Sequence, residues 1–431
     1  MHIKTFGPVD QRSLEQLKRC MEAGDAEFGV LCADHHPGYS QPIGGAIAYE
    51  GYISPSGAGY DLGCGNKAAL THLTRPDLEA AGGVRHVMDE ITRRISFGVG
   101  VPAAERTDHP VLDQIRAADF TPQRALAKLA AEQLGTVGSG NHYVNVFADE
   151  QGRIWVGVHF GSRGFGHRTA SGFLALAQGL PFDARAREGE MDSPPVLFEA
   201  GSELGQSYIA AMQLALDYAY AGRDVVVDKV LEILGARALK EVHSNHNDAQ
   251  LEEHHGRRLW VVRKGCTPAR PGQEGFVGGS MGDDSVILEG VEGVESAEAL
   301  YSTVHGAGRV MSRTQAAGRV RRRKRYACRN RDCDRVFEAD GACPDHLDAG
   351  LKKVWVEEQL KRGVVDWPAV QARLRKQGIV LVGGGADEAP EVYKRLPDVL
   401  AAHGDTIRVT HTLRPLGVAM AGRDVYDPYK D

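Results

Sequence analysis

Apolar residues recur at helical spacing over residues 11 to 24, where Leu14, Leu17 and Met21 share a face, and the same period returns over 76 to 95 and 123 to 134. Between the first two of these stretches the period shortens. From Phe28 to Ile53, short apolar runs are broken by Pro37-Gly38, Pro42 and Gly44-Gly45, a pattern of strands and turns that leaves Asp34-His35-His36 at the end of the first strand. Tyr143 to Phe147 and Ile154 to His159 read as two strands joined through Asp149-Glu150-Gln151-Gly152. Residues 203 to 240 are the longest helical stretch, with Gly222 as its one break, and are expected to form two helices that cover the sheet. Leu259 to Val262 and Ser285 to Leu288 resume strand character. Helices are expected over 351 to 361, 367 to 376 and 389 to 403, and strands at Ile379 to Val382 and Ile407 to Thr412. The pattern is that of an α+β protein, a β-sheet core wrapped by helices.

Composition narrows the class. A chain of 431 residues, 42% hydrophobic and 25% charged, can bury one large core or two medium ones. The N-terminus lacks the apolar core of a signal peptide, and no apolar run reaches the length of a membrane span, so a cytoplasmic protein without membrane contact is expected. Seven cysteines, odd in number and three of them crowded together, point to metal use over a disulfide framework. The formal charge of -6 argues against a general nucleic-acid coat but leaves room for a local basic track. Arg319, Arg321, Arg322, Arg323, Lys324 and Arg325 form one.

The candidate chemistry centres on Gly57-Ala58-Gly59-Tyr60-Asp61-Leu62-Gly63-Cys64-Gly65. A carboxylate and a thiol at i, i+3 spacing in a glycine-rich loop can aim at one point, as a metal seat requires. The remaining ligands must come from elsewhere, and His142, His159 and His246 each lie in a similar glycine-rich or polar loop. Gly138-Ser139-Gly140, Gly161-Ser162-Arg163-Gly164 and Gly279-Ser280-Met281-Gly282 expose backbone N–H groups suited to a polyphosphate, with Arg163 and Arg309 as forked donors, although none fits the P-loop pattern. His305, between small residues and Arg309 at what reads as a helix start, suits a nucleophilic or acid–base role. Cys328, Cys333, Cys343 and His346 have the spacing of a structural zinc site, with the basic track leading into it as a strip for a phosphate backbone.

With these stretches in place the chain resembles the RtcB family of RNA ligases, which join an RNA 3'-phosphate or 2',3'-cyclic phosphate end to a 5'-hydroxyl in tRNA splicing and RNA repair. The resemblance runs from about Asp34 to Gly422. It is carried by Gly59-Tyr60-Asp61-Leu62-Gly63-Cys64-Gly65, Gly135-Thr136-Val137-Gly138-Ser139-Gly140-Asn141-His142, the His159 to His167 stretch, His246-Asn247, Gly279 to Gly282, His305 to Arg313 and Leu413-Arg414-Pro415-Leu416-Gly417-Val418. It implies that Asp61, Cys64, His142, His159 and His246 bind two manganese ions with the Cys64 sulfur bridging them. It further implies that His305 takes up GMP from GTP, that Asn141, Asn247, Gly279, Ser280, Met281 and Gly282 hold the triphosphate, and that Arg163, Gly306, Ala307, Gly308 and Arg309 line the phosphates. An RNA substrate follows, and an activating protein partner is compatible with the family.

Three features depart from the family pattern. The family members taken as typical lack the basic and cysteine-rich stretch of about 319 to 349. Asn145 stands where the family usually has a glutamate, and Met420 where it usually has a lysine, both at positions that look like guanine contacts, which brings ATP in as an alternative to GTP. The expected organisation is a catalytic domain over 1–318, a zinc-binding insertion over 319–349 and the catalytic domain's C-terminal part over 350–431. Two further classes stay open: a metallophosphoesterase that acts on RNA ends without nucleotide transfer, and a non-catalytic RNA-binding relative.

Overall fold

The structure is a computed structural model that describes residues 1–186, 191–330, 333–422 and 425, without the side chains of Val320, Arg322, Glu357 and Gln359. Its main sheet has eight strands. Glu274–Val277, Ser285–Gly290, Ile407–Gly422, Tyr143–Ala148, Arg153–Phe160, Gly65–Thr74 and Ala238–Asn245 follow one another across it, and Val380–Gly384 pairs in parallel with Ile407–Gly422. A second sheet orders His2–Thr5, Phe28–His36, Ile43–Tyr49, Arg257–Lys264 and Asn247–His254. The expected α+β architecture is the one observed.

Alternation along the central strands decides which face carries the chemistry. Val144, Val146, Val156 and Val158 point into an apolar core covered by the helices Gly83–Arg94 and Glu203–Leu234. Tyr143, Asn145 and His159 point the other way, because Tyr143 is registered opposite His159 and side chains reverse at every residue. One face of the sheet is therefore structural and the other is free for a site.

The helix Glu203–Leu234 is continuous and passes through Gly222, contrary to the expected pair of helices. Ser202 caps its start by accepting from the Gly205 N–H, and Gly235 ends it with φ 60°. A helical glycine costs about 1 kcal/mol, too little to break a helix that buries apolar residues in two cores. Residues 389 to 403 are more broken than expected, with 3-10 turns at Ala386–Glu388 and Pro390–Val392 and a helix only over Leu396–Ala401; Pro390 and Pro397 account for the interruptions. A helix that the periodicity did not disclose, Arg163–Ala177, follows the His159 strand.

The helix expected over 351 to 361 is a strand. Leu351–Arg362 pairs antiparallel along the whole basic strand Gly318–Cys328, and Val336–Phe337 adds a third strand. Val354, Trp355 and Val356 favour a pleated surface, and a cross-strand partner decides the matter. The arm built around the basic track thus runs from Gly318 to Arg362, and it continues past the expected boundary at 349.

Candidate active site and metal centre

Asp61 and Cys64 occupy the turn between the short helix Pro55–Ala58 and the strand Gly65–Thr74, where the Cys64 N–H donates to the Asp61 carbonyl at 3.0 Å. Gly63 has φ 67°, a conformation open to glycine at no steric cost. The turn is tied from outside. The Gly63 N–H donates to the Asn247 carbonyl at 2.8 Å, Asn247 Nδ2 donates to the Asp61 carbonyl at 3.1 Å, and the His246 N–H donates to the Cys64 carbonyl at 2.8 Å. Arg223, fully buried and projected from the long helix, donates to the carbonyls of Gly63 and Phe160, each at 2.7 Å.

His142 just before the strand Tyr143–Ala148, His159 near the end of Arg153–Phe160 and His246 between Ala238–Asn245 and Asn247–His254 complete the cluster. His142 Nε2 lies 3.1 Å from Asp61 Oδ2 and 3.6 Å from Cys64 Sγ, while His159 Nε2 lies 3.7 Å from the same sulfur. Asn66 Oδ1 lies 2.7 Å from His159 Nδ1 and fixes that ring. The His159 and His246 rings stack with centroids 5.2 Å apart.

Two groups of ligand atoms result, Asp61–Cys64–His142 and Cys64–His159–His246, each drawn together within 4.8 Å. They share the Cys64 sulfur. Burial and the Asp61 charge push the Cys64 thiol well above its ordinary range, and burial, reinforced by neighbouring histidines, drives His159 and His246 well below theirs. Burial alone would raise the Asp61 carboxyl, but His142 and Arg163 hold it below the carboxylate range. His246 Nδ1 is buried without a hydrogen-bond partner among the described residues. Three imidazoles, a carboxylate and a thiol crowded in a buried pocket fit a pair of cations that share one sulfur.

His305 sits beside this cluster, its ring centroid 4.8 Å from that of His246. It follows the short strand Ser302–Val304 in a loop, whereas the next helix starts only at Arg313, so the helix start expected at His305 is not there. Its Nδ1 lies 2.7 Å from Oδ2 of the fully buried Asp34, and that same oxygen accepts the N–H groups of His305 at 3.0 Å and Gly306 at 3.3 Å. Burial would raise the Asp34 carboxyl, yet the His305 ring and its backbone N–H leave it lower than usual. Gly308, with φ 77°, lies so close to the Asp34 carbonyl that a Cβ there would collide with it. Sequence reasoning placed Asp34 at a strand end without giving it a role; Asn66 and Arg223 had no signal at all.

The glycine loop at 279–282 flanks the same pocket, with the Gly278 carbonyl close to Gly306. Ser280 Oγ donates to Asp283 Oδ2 at 2.6 Å, and Met281 packs in the apolar cluster that includes Tyr143 and Met420. Asn141 Nδ2 lies 3.3 Å from His159 Nε2, and Asn247 Oδ1 accepts the Gly265 N–H at 2.8 Å. Asn145 and Met420 lie on neighbouring strands and face the same side of the sheet, both buried, and Asn145 Oδ1 has no hydrogen-bond partner among the described residues. The two arginines are engaged within the protein. Arg163 Nη2 donates to the Gly98 carbonyl at 3.1 Å, and Arg309 contacts the Asp387 carbonyl at 3.0 Å and Glu388 at 3.5 Å while packing over the Tyr393 ring. Ala307 is buried in the adjoining core.

The profile described as "RtcB: tRNA-splicing ligase RtcB" matches residues 24–354. The chain belongs to the RtcB family. It is 31% identical over 390 residues to the tRNA-splicing ligase RtcB of Thermococcus kodakarensis, covering 72% of this chain and 78% of that protein. It is 29% identical over 415 residues to the RNA-splicing ligase RtcB of Escherichia coli (strain K12), covering 89% and 88%, and 28% identical over 465 residues to the RNA-splicing ligase RtcB of Mycobacterium bovis, covering 89% and 94%. RtcB proteins are metal-dependent RNA ligases of RNA repair and tRNA splicing, and this chain carries residue groups able to hold metal.

Away from this centre, Cys328, Cys333, Cys343 and His346 converge at the end of the basic arm. Cys343 Sγ lies 3.8 Å from Cys333 Sγ and 3.7 Å from His346 Nδ1. Burial would raise the Cys343 thiol, but His346 and neighbouring backbone bring it to about 7, ready to serve as a thiolate. Among the described residues no helix is long and apolar enough to cross a membrane.

Proposed function

We propose that this RNA ligase joins 3'-phosphate or 2',3'-cyclic phosphate ends to 5'-hydroxyl ends through a nucleotide carried on His305. The observation that supports it best is the placement of His305 beside two ligand groups that share one sulfur, with its ring oriented by a buried carboxylate. Asp61, Cys64, His142, His159 and His246 would hold two manganese ions, and one thiolate would serve both. Bound there, the ions would supply Lewis acidity and charge neutralisation for phosphate chemistry.

The protein's own groups do the rest. The Asp34 carboxylate, 2.7 Å from His305 Nδ1, would keep the ring proton on that nitrogen, which leaves Nε2 with its lone pair and makes it the attacking atom. His305 Nε2 forms an N–P bond to the α-phosphorus of GTP as the bond to pyrophosphate breaks, and the nucleotide then passes to the RNA 3'-phosphate, from which the 5'-hydroxyl displaces it. Asn141, Asn247 and the loop Gly279–Gly282 would line the triphosphate. One zinc ion on Cys328, Cys333, Cys343 and His346 would hold the arm together.

The test is incubation with radiolabelled GTP and manganese, followed by a denaturing gel. The expected outcome is an acid-labile labelled band that His305→Ala abolishes while bound manganese, measured by elemental analysis, stays unchanged. Labelling that survives in His305→Ala, or manganese lost with it, overturns the assignment.

A further inference from the structure

The arm Gly318–Arg362 is rooted next to the active centre. Arg313, in the turn of helix that precedes it, pairs with Asp387 and Glu388, and Glu388 also receives Arg309. The arm's two long strands carry ten arginines and lysines against two glutamates, in a chain whose formal charge is -6. Such a concentration needs a counterpart of opposite charge.

The register sorts these charges onto two faces. On one face Arg323 Nε lies 2.7 Å from Glu358 and Arg325 Nη2 lies 2.9 Å from Glu338, so two of its cations are answered from within the protein. On the other face Lys324 is registered opposite Trp355, and Tyr326 opposite Lys353, a checkerboard of two ammonium groups and two rings. The third strand sets Phe337 beside Tyr326 on the same side. Lys324 Nζ sits 5.5 Å from the centre of the Tyr326 ring, and neither lysine meets a carboxylate among the described side chains. Trp355 is 70% exposed. A tryptophan left in solvent on a strand whose neighbours are cations is costly in isolation and well suited to a planar, anionic polymer.

We infer that this face binds unpaired nucleotides of the RNA substrate, with bases stacked on Trp355 and Tyr326 and phosphates met by Lys324 and Lys353. The inference rests on the RNA-ligase reading above and adds a second, sequence-tolerant contact away from the ends being joined. Unpaired RNA is favoured over duplex because rings need a base face to stack on, and a paired helix hides its base faces. RNA is favoured over a protein partner because the exposed rings are interleaved with uncompensated lysines; the exposed Leu347 and Val336 lie outside this face.

The experiment measures binding of the full-length protein to a fluorescent, unstructured RNA oligonucleotide as salt is varied. Trp355→Ala should weaken binding at least about fivefold, and Trp355→Phe should restore most of it. Lys324→Gln combined with Lys353→Gln should lower the slope of log affinity against log salt by about 1.4. Zinc content reports whether the arm is folded in each variant; should Trp355→Ala lose zinc, Trp355→Phe and the lysine pair decide the question. RNA affinity and salt slope unchanged in folded variants overturn the inference, as does a change in oligomeric state in place of a change in RNA affinity, which would mark the face as a protein interface. Nucleotide labelling of His305 separates the two readings. Labelling intact with RNA affinity unchanged sinks the arm proposal alone, whereas absent labelling in the unmodified protein sinks the ligation chemistry and leaves the RNA measurement to judge the arm.

Discussion

The proton on His305 is decided by one oxygen. Asp34 Oδ2 faces His305 Nδ1 and two backbone N–H groups, so the carboxylate is fixed from three directions and the imidazole is fixed by it. Asp34→Asn keeps the shape but can present an amide N–H in place of an acceptor, which would turn the lone pair to the wrong nitrogen. Nucleotide uptake should slow by about a hundredfold or more, a typical share for such positioning in proton-dependent catalysis, with manganese content unchanged; rapid-quench labelling reads the rate. A second expectation concerns the base. Guanine offers two donors that a carboxylate can accept together, and the Asn145 amide, with one acceptor and one donor, suits adenine as well. Losing a charged hydrogen bond costs roughly 1.5 to 3 kcal/mol, so discrimination between GTP and ATP should be weaker by about tenfold or more than a glutamate would give. Competition labelling of His305 measures it, and a thousandfold preference for GTP would show that other residues read the base. At this scale the candidate ligand histidines and His305 were legible because glycine-rich or polar loops mark them, whereas Asp34, Asn66 and Arg223 meet their partners only across other strands and helices.

Among the elements, the helix Glu203–Leu234 shows where local preference yields to packing. A Cβ added at Gly222 would meet Phe160 Cε2 at 3.4 Å, an ordinary contact, and the residue is helical. Gly222→Ala should therefore stabilise the protein by about 0.5 to 1 kcal/mol, read as a higher urea midpoint at unchanged slope. Loss of stability would mean that Phe160 cannot yield. The strand Leu351–Arg362 makes the opposite point. Its lysines and glutamates allow a helix, and its Val-Trp-Val centre allows a strand; only the basic strand lying alongside it selects one of them.

Acid sensitivity belongs to the whole molecule. Asp34, Asp61, Asp149 and Glu252 all have carboxyl groups held below their ordinary range in the folded state. Below about pH 4, where unfolded Asp and Glu take up protons, the unfolded chain binds more protons than the folded one, so stability present above that range is lost as pH falls. Urea midpoints should already fall as pH drops through about 6.5, where the unfolded chain charges histidines that burial keeps neutral in the fold, among them His36, His243 and His403, and should fall more steeply below about pH 4. Glu252 contributes through the fully buried Arg263, 2.5 Å away, and through Arg270 at 3.1 Å. Glu252→Gln should cost about 3 to 5 kcal/mol by leaving Arg263 buried without its charge partner, and should flatten part of the acid slope.

What the sequence determined by itself is whatever is written in neighbouring residues. The period of apolar positions marked the helix at 11–24 and the paired strands around His142 and His159, and glycine-rich or polar loops marked five metal-ligand candidates and His305. What only the tertiary structure decided is whatever depends on pairing between distant segments: the Asp34 carboxylate behind His305, the Asn66 contact that fixes His159, the continuity of the long helix through Gly222 and the strand at 351–362. Local spacing fixes which side chains share a face, because the chain's geometry repeats every 2 or 3.6 residues. Which faces meet is set by burial and cross-strand hydrogen bonds summed over the whole fold, and no single stretch of the chain contains that sum.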